Sequence, residues 1–260
     1  MWQPDGAAPL AKIGVLTPHL DPVPETEFQV MAPQGVSVHA ARVPLGMIGA
    51  DGQIVPSIGP EVAKAFSEPP AVDQAVDLLA PLELNSIVYS FTSSSYILGS
   101  QNDSLLKARL EERSNGTPIV IQTSAIVSAL RVLSVQRISL MHPPWYTSEL
   151  DQMGATYFEG EEFDVVYHSP AHIRRGYGDP APEQIFEWAK ANTPDDADAL
   201  VIGGSGFRAI GVIKALEASL DRPVISANQA SFWNALRIAG VTKGISGYGR
   251  IFDADRTTKE

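Results

Sequence analysis

What this chain can fold into is constrained above all by one order of segments that occurs twice. Seven short apolar runs, "KIGVLTP", "SIVYSF", "PIVIQT", "RISLMHP", "DVVYHS", "ALVIGG" and "RPVISA", are rich in Ile and Val, and most end at small or polar residues. Between them lie amphipathic stretches such as "SLLKARLEER", "AIVSALRVLSV" and "AIGVIKALEASL". Continuous apolar strands that alternate with helical patterns predict a buried parallel sheet, and hence an α/β fold.

The order then repeats. "SIVYSFTSSSYILG" is echoed by "ALVIGGSGFRAIG", each a strand, a small-residue turn and a helix. "PIVIQTSAIVSALRVLSVQRISL" is echoed by "PVISANQASFWNALRIAGV", and "KIGVLTPH" by "RISLMHPP". Two halves of the same order predict two similar α/β domains facing each other. Residues 1–120 with 228–260 would form the first, and residues 121–227 the second. Ligands of open parallel sheets bind beyond the carboxyl ends of the strands, so both sets of ends should converge on one cleft. The loops that would line it are "TPHLDP", "FTSSSY", "HPPWY", "GGSGF" and "SANQAS".

Composition narrows the chemistry. The 260 residues carry a net charge of −11 with a pI near 4.9, which argues against a nucleic-acid partner, because phosphate binding depends on Lys/Arg excess. No apolar run approaches the ~20 residues a membrane helix needs. The opening "MWQPDGAAPLAK" lacks the basic-then-apolar order of a signal peptide, so a cytoplasmic location is expected. The chain has no cysteine. Disulfides, thiolate metal sites and thiol acids or nucleophiles are therefore excluded.

Four loop groups carry candidate chemistry. Thr92, Ser93, Ser94 and Ser95 follow an apolar strand. One hydroxyl suffices for a helix N-cap, and four in a row point to an anion or oxyanion pocket built with Thr92, Ser93 and Ser95. In the mirror loop, Gly203, Gly204 and Gly206 let the backbone approach a ligand and Ser205 supplies a donor, although an ordinary tight turn reads the same way. Its spacing matches neither a P-loop nor a dinucleotide fingerprint. His19 and His142 follow strand ends in duplicated positions and can move protons near neutrality. No histidine pair has metalloprotease spacing, so no metal is expected. Asp21 lies in the first strand-end loop, with Glu25 and Glu27 beyond it. A Gly-x-Ser-x-Gly elbow is missing, which removes the usual serine-hydrolase reading.

With these loops assembled, the chain resembles the aspartate/glutamate racemase superfamily, in the branch of maleate isomerase and arylmalonate decarboxylase. "IGVLTPHLDPVPETEF" is similar to the family's opening strand and Asn-Pro-x-x-Glu loop, and "TSSSYILG" to Thr-Ser-x-Ser-x-x-x-Gly. "RPVISANQASFWNALRIAG" fits the Ser-Asn-Gln-Ala…Trp…Leu-Arg signature, and "GYGRIF" resembles the decarboxylase tail. The resemblance covers nearly the whole chain. It implies two pseudo-symmetric domains with the site in the cleft between them, no cofactor, and an enediolate-like or covalent intermediate handled by one cysteine in each half. It makes Thr92, Ser93 and Ser95 carboxylate or oxyanion donors from the first half and Ser205 one from the second. Self-association is common in the family, so a homo-oligomer is possible by analogy.

The departures fall where the family's chemistry lies. Phe91 and Gly204 stand at the two cysteine positions. The family's Thr-Pro-Tyr reads His142-Pro143-Pro144, without the tyrosine hydroxyl, with Trp145 and Tyr146 close by. Asp21 replaces an asparagine. Thiol-based racemisation and cis–trans isomerisation are therefore disfavoured. Three readings remain. The first is a cofactor-independent decarboxylase or related lyase, with the enediolate on the Thr92/Ser93/Ser95 and Ser205 loops. His142 or His19 would deliver the proton, against an apolar wall of Phe91, Trp145 and Phe207. The second is a hydrolase that opens a small cyclic amide or lactone with Asp21, helped by His19, as the base. The third is a carboxylate-binding protein without turnover.

Overall fold

The computed structural model describes residues 7, 10–45, 58, 60–173, 180–242 and 245–254. The outer limits of the first domain range, and most of the stretch weighed as a leader, fall at residues 1–6, 8–9 and 255–260, outside the described residues. Among the described residues, eight strands form two four-stranded sheets. The first sheet holds β1 (Ala11–Pro18), β2 (Val36–Val43), β3 (Ser86–Tyr89) and β4 (Ile119–Ile121), in the order β2-β1-β3-β4. The second holds β5 (Arg137–His142), β6 (Asp164–Pro170), β7 (Ala199–Ile202) and β8 (Val224–Ser226), in the order β6-β5-β7-β8. Every pairing is parallel. The two orders are the same, as the sequence repeat predicts, and the fold is α/β with two matching parallel sheets flanked by helices.

One strand escaped the sequence reading. In β2, "VSVHAARV", polar and small residues interrupt the apolar ones, and most positions are only half-buried. That is the signature of an edge strand, and it lacks the continuous apolar run on which the other seven stand out. The central strands β3 and β7 are buried at all four positions.

The helices are α1 (Val23–Met31), α2 (Pro60–Ser67), α3 (Ala71–Leu79), α4 (Thr92–Arg113), α5 (Gln122–Val132), α6 (Ser148–Gly160), α7 (Pro182–Asn192), α8 (Ile213–Leu220), α9 (Ala227–Ile238) and α10 (Ile251–Ala254). Helix α4 breaks at Gly99, whose φ of 74° takes the left-handed region. Its first segment therefore runs only from Thr92 to Leu98. A capping box starts α9: the Ser226 hydroxyl accepts from the Gln229 amide while the Gln229 side chain accepts from the Ser226 amide. No described helix is long and apolar enough to cross a membrane.

Two helices are exchanged between the halves. Helix α5 leaves the first sheet and packs against β8 of the second, whereas α9 leaves the second and packs on β1, β3 and β4 of the first. They lie side by side, and a polar seam runs between them. Gln122 at the start of α5 donates to the Ser90 hydroxyl (3.0 Å) and to Oδ1 of Asn228 on α9 (2.9 Å). Asn228 donates in turn to the Glu27 carboxylate (2.7 Å) and to the Ser205 carbonyl (2.8 Å). All four side chains in this seam are buried, so each polar atom paired here avoids a desolvation cost of roughly 1–3 kcal/mol.

Candidate active site

The strand ends of both sheets meet at one cleft of about 270 Å³. Pro18, Leu20, Asp21, Pro22 and Val23 enter from the loop after β1, and Leu45 follows β2. Phe91 follows β3, Trp145 and Tyr146 follow β5, and Gly204, Ser205 and Gly206 follow β7. Ile58 completes the wall, its amide donating to the Trp145 carbonyl. Four of the five loops expected from the sequence thus supply lining residues. The fifth, "SANQAS", stands behind them and holds Ser205 through Asn228.

The hydroxyl block does its work one layer back. Thr92 and Ser93, both buried at the start of α4, hydrogen-bond the Tyr146 hydroxyl at 3.0 and 2.7 Å. Tyr146 lines the cleft, so the group presented there is a phenol held by two aliphatic hydroxyls. In "HPPWY" it stands two positions beyond Pro144, where the resemblance implies a tyrosine. Burial raises its pKa, against the Ser93 and Thr92 hydrogen bonds that lower it. Tyr146 stays protonated and able to donate. Ser94 bonds back to the Phe91 carbonyl. Ser95 corrects the expectation for the block: it faces Asp103, away from the residues that line the cleft, because the helical turn carries it to the other side. Burial pushes that Asp103 carboxyl up to about 6.

His142 is fully buried rather than open to the cleft. Its ring stacks on Tyr146 with centroids 5.0 Å apart. Nδ1 lies 2.7 Å from Asp151 Oδ1, and Nε2 lies 3.0 Å from the Tyr96 hydroxyl. The second oxygen of Asp151 takes Nδ1 of the partly exposed His168 at 2.7 Å. Burial alone would raise Asp151, but its hydrogen bonds with His142 and His168 outweigh this and hold the carboxyl below its ordinary value. Asp151 is thus a carboxylate, so His142 carries its proton on Nδ1 and accepts at Nε2 from Tyr96. Burial lowers the His142 pKa, and Asp151 offsets only part of that. At neutral pH the ring is neutral. Two glycines make its slot: a Cβ on Gly154 would sit 2.5 Å from Cε1, and one on Gly203 would sit 2.7 Å from Cδ2.

On the facing side, the Ser205 hydroxyl donates to Asp21 Oδ2 (3.2 Å), and Asp21 Oδ1 accepts from the Val23 amide (3.0 Å). The donor expected to meet a substrate is thus engaged with a carboxylate in the same wall. Gly206 lies against Asp21, leaving 3.0 Å between a hypothetical Cβ and Oδ2. Gly204 has φ of 82° and packs on the Pro143 ring. His19 is placed outside the lining: its Nδ1 accepts from the Leu45 amide (3.0 Å) and so fixes the chain after β2. Phe207 is buried against Trp145, with ring centroids 6.0 Å apart, and reaches the cleft only through it.

The structure therefore gathers Asp21, Phe91, Trp145, Tyr146, Gly204, Ser205 and Gly206 at the cleft, sets Thr92, Ser93 and His142 directly behind it, and moves His19 and Ser95 aside. Tyr96 and Asp151 were missed, and the burial of Glu27, named only as an acid beyond Asp21, was not foreseen. Glu27 is buried on α1, which pushes its carboxyl up to about 7 against hydrogen bonds from Asn228 and Ile210. A glycine inside α6, where glycine costs helix stability, was the available signal for the His142 slot. Among the described residues, no group of three or more His, Cys, Asp and Glu is arranged to hold a metal ion.

A family model described as arylmalonate decarboxylase matches residues 70–252. An arylmalonate decarboxylase of Bordetella bronchiseptica is 27% identical over 173 residues, 62% of this chain and 68% of that protein. A maleate isomerase of Nocardia farcinica (strain IFM 10152) is 26% identical over 145 residues, 54% of this chain and 57% of that one. Among solved structures, maleate isomerase Iso from Pseudomonas putida S16 superposes with a TM-score of 0.81 at 19% identity, covering 94% of this chain and 99% of the other. A crystal structure of arylmalonate decarboxylase gives 0.72 at 21%, covering 93% and 99%. These structural likenesses establish the two-sheet fold.

Proposed function

The chain belongs to the arylmalonate decarboxylase family, and from that premise we propose that it is a cofactor-independent lyase that removes CO₂ from a small carboxylate. The observation that carries this reading is a largely apolar cleft lining that includes one tyrosine hydroxyl held in place from behind. Leu20, Leu45, Ile58, Phe91 and Trp145 make an apolar wall, and the Tyr146 hydroxyl stands beside it, held by Thr92 and Ser93. A carboxylate leaving as CO₂ loses its charge, so an apolar surround favours its departure over its retention. The charge moves to the enediolate that remains, and a pre-set donor such as Tyr146 stabilises that species more than the starting acid. Both named relatives act, by their names, on dicarboxylic acids or their aryl derivatives. Thiol-based isomerisation has no reagent here, because the chain has no cysteine.

Mechanistically, one carboxylate of the substrate accepts from Tyr146 while the other lies against Phe91 and Trp145. Breaking the bond between the α-carbon and the second carboxylate leaves its electron pair in the enediolate. The α-carbon then takes a proton, and Tyr146 O–H is the donor at hand. A second reading rests on Asp21. Its carboxylate lines the cleft with Ser205, where it could draw a proton from water and open a small cyclic amide or lactone. His19 takes no part in this, being engaged with Leu45.

The test is NMR of the purified protein in D₂O with arylmalonates, maleate, cyclic imides and small lactones. Release of CO₂ with one deuterium at the α-carbon supports the lyase reading. Ring opening without loss of carbon overturns it in favour of Asp21. Binding of a carboxylate without any turnover overturns both.

A further inference from the structure

The polar groups behind Tyr146 do not stop at Thr92. Tyr146 bonds the Thr92 hydroxyl (3.0 Å); Thr92, one helical turn before Tyr96 on α4, acts on the Tyr96 hydroxyl, which bonds Nε2 of His142 (3.0 Å), and Nδ1 bonds Asp151 (2.7 Å). Tyr146 lines the cleft, whereas Thr92, Tyr96, His142 and Asp151 are all buried. The three hydroxyls and the imidazole of this series can each both give and take a proton. For structure alone, one partner per buried hydroxyl would suffice. Here the links are in series and end on a His–carboxylate pair, the arrangement that stores a proton.

We propose that Tyr146 is the proton-transfer group of the cleft and that the His142–Asp151 pair is its proton store, reached through Tyr96 and Thr92. This rests on the reading that the reaction protonates a carbon in the cleft, and it assigns the residues that supply the proton. At rest the ring is neutral and Nε2 accepts from Tyr96; the loaded form is the minority state in which His142 has taken a second proton, so that Nδ1–H donates to Asp151 and Nε2–H to Tyr96, Tyr96 donates to Thr92, Thr92 to Tyr146, and Tyr146 into the cleft. When the enediolate takes the Tyr146 proton, each hydroxyl takes one from the group behind it. Nε2 of His142 gives up the last, leaving the neutral Nδ1–H ring against the Asp151 carboxylate. Reloading runs the same hydroxyls backward from water that replaces the product. One proton enters for each CO₂ released, which balances the reaction.

The groups facing His142 are Asp151 from α6, His168 from β6 through Asp151, Tyr96 from α4 and Tyr146 from the loop after β5. Asp151 is the one of them whose charge stabilises the loaded ring. His168, when protonated, competes for the same carboxylate. Tyr96, Thr92, His142 and Asp151 are positioning and relay groups; Tyr146 alone meets the substrate.

Two arms test this on the full chain. The first needs no substrate. In ¹⁵N-histidine NMR, His142 should be the Nδ1–H tautomer, and its Nε2 resonance should move in Tyr96→Phe and also in Thr92→Val, which touches no atom of the ring. An Nε2–H tautomer, or a resonance unmoved by Thr92→Val, overturns the proposal. The second arm uses phenylmalonate. Tyr96→Phe should lose about 10²-fold in kcat, as removal of positioned acid–base catalysis does, with KM unchanged within about twofold. Asp151→Asn should carry the pH at which kcat falls to lower values. Retention of kcat and of its pH profile in Tyr96→Phe overturns the relay. Failure of the wild type to release CO₂ would sink the lyase reading, while the NMR arm still decides the relay. Melting curves of each variant separate lost chemistry from lost fold.

Discussion

Replacing Gly204 by alanine tests whether the second-half loop has been rebuilt around a glycine. Two costs are written into the structure. A φ of 82° is a backbone region that an L-residue occupies at a cost of about 1–3 kcal/mol. An added Cβ would also lie 2.8 Å from Cδ of Pro143 and closer still to Cγ, and overpacking of that kind costs about 1–3 kcal/mol. Gly204→Ala should therefore lose roughly 2–6 kcal/mol, or about 4–24 °C in Tm for a chain of this size. Gly206→Ala is the control: the nearest atoms to its Cβ are those of the Asp21 carboxylate, at 3.0 Å or more. It should cost less than about 1 kcal/mol. Pro143→Ala removes the obstructing ring atoms, so the double variant should recover the steric share, and urea unfolding of the four proteins closes the cycle. If Gly204→Ala costs under about 0.5 kcal/mol, or shows no coupling to Pro143, the reasoning fails. If it holds, Gly204→Cys alone will not restore thiol chemistry, because the loop has no room for the side chain.

Glu27 makes stability depend on pH. Its folded pKa is raised from 4.5 to about 7, so the folded state holds the proton more tightly than the unfolded chain does. The resulting stability is fully present below about pH 4.5 and is lost as pH rises through about 7, a change of about 3 kcal/mol. Urea midpoints at pH 5 and 8 should show this fall in the wild type and not in Glu27→Gln; equal falls in both would refute the assignment. Asp21→Asn separates the two functional readings. CO₂ release should stay within about tenfold of wild type, whereas a hydrolase with Asp21 as base should lose about 10²–10⁴-fold.

The fold was legible because the apolar runs of β1, β3, β5 and β7 are interior strands, buried on both faces and spelled out as continuous Ile/Val segments. The edge strand β2 was not, since half-exposure lets polar residues into it. At the site, the hydroxyl block and His142 were visible as residue types in strand-end loops, yet their roles were not. Whether Thr92 meets a ligand or a tyrosine depends on Tyr146, 54 positions away, and whether His142 faces solvent depends on Tyr96, 46 positions away. Such pairings arise from two strand ends meeting across sheets, and no local period encodes them. Asp151 was hidden for a related reason: an acid in the first turn of α6 reads as ordinary helix-dipole compensation.

The exchange of α5 and α9 has a consequence for how the chain emerges from the ribosome. The helix that covers β1, β3 and β4 begins at Ala227, roughly 100 residues after β4 has been made. At about 5–20 residues per second, the first sheet waits on the order of 5–20 s with one apolar face uncovered. The N-terminal half therefore cannot finish folding as it is synthesised, and its completion is timed by almost the last helix to appear.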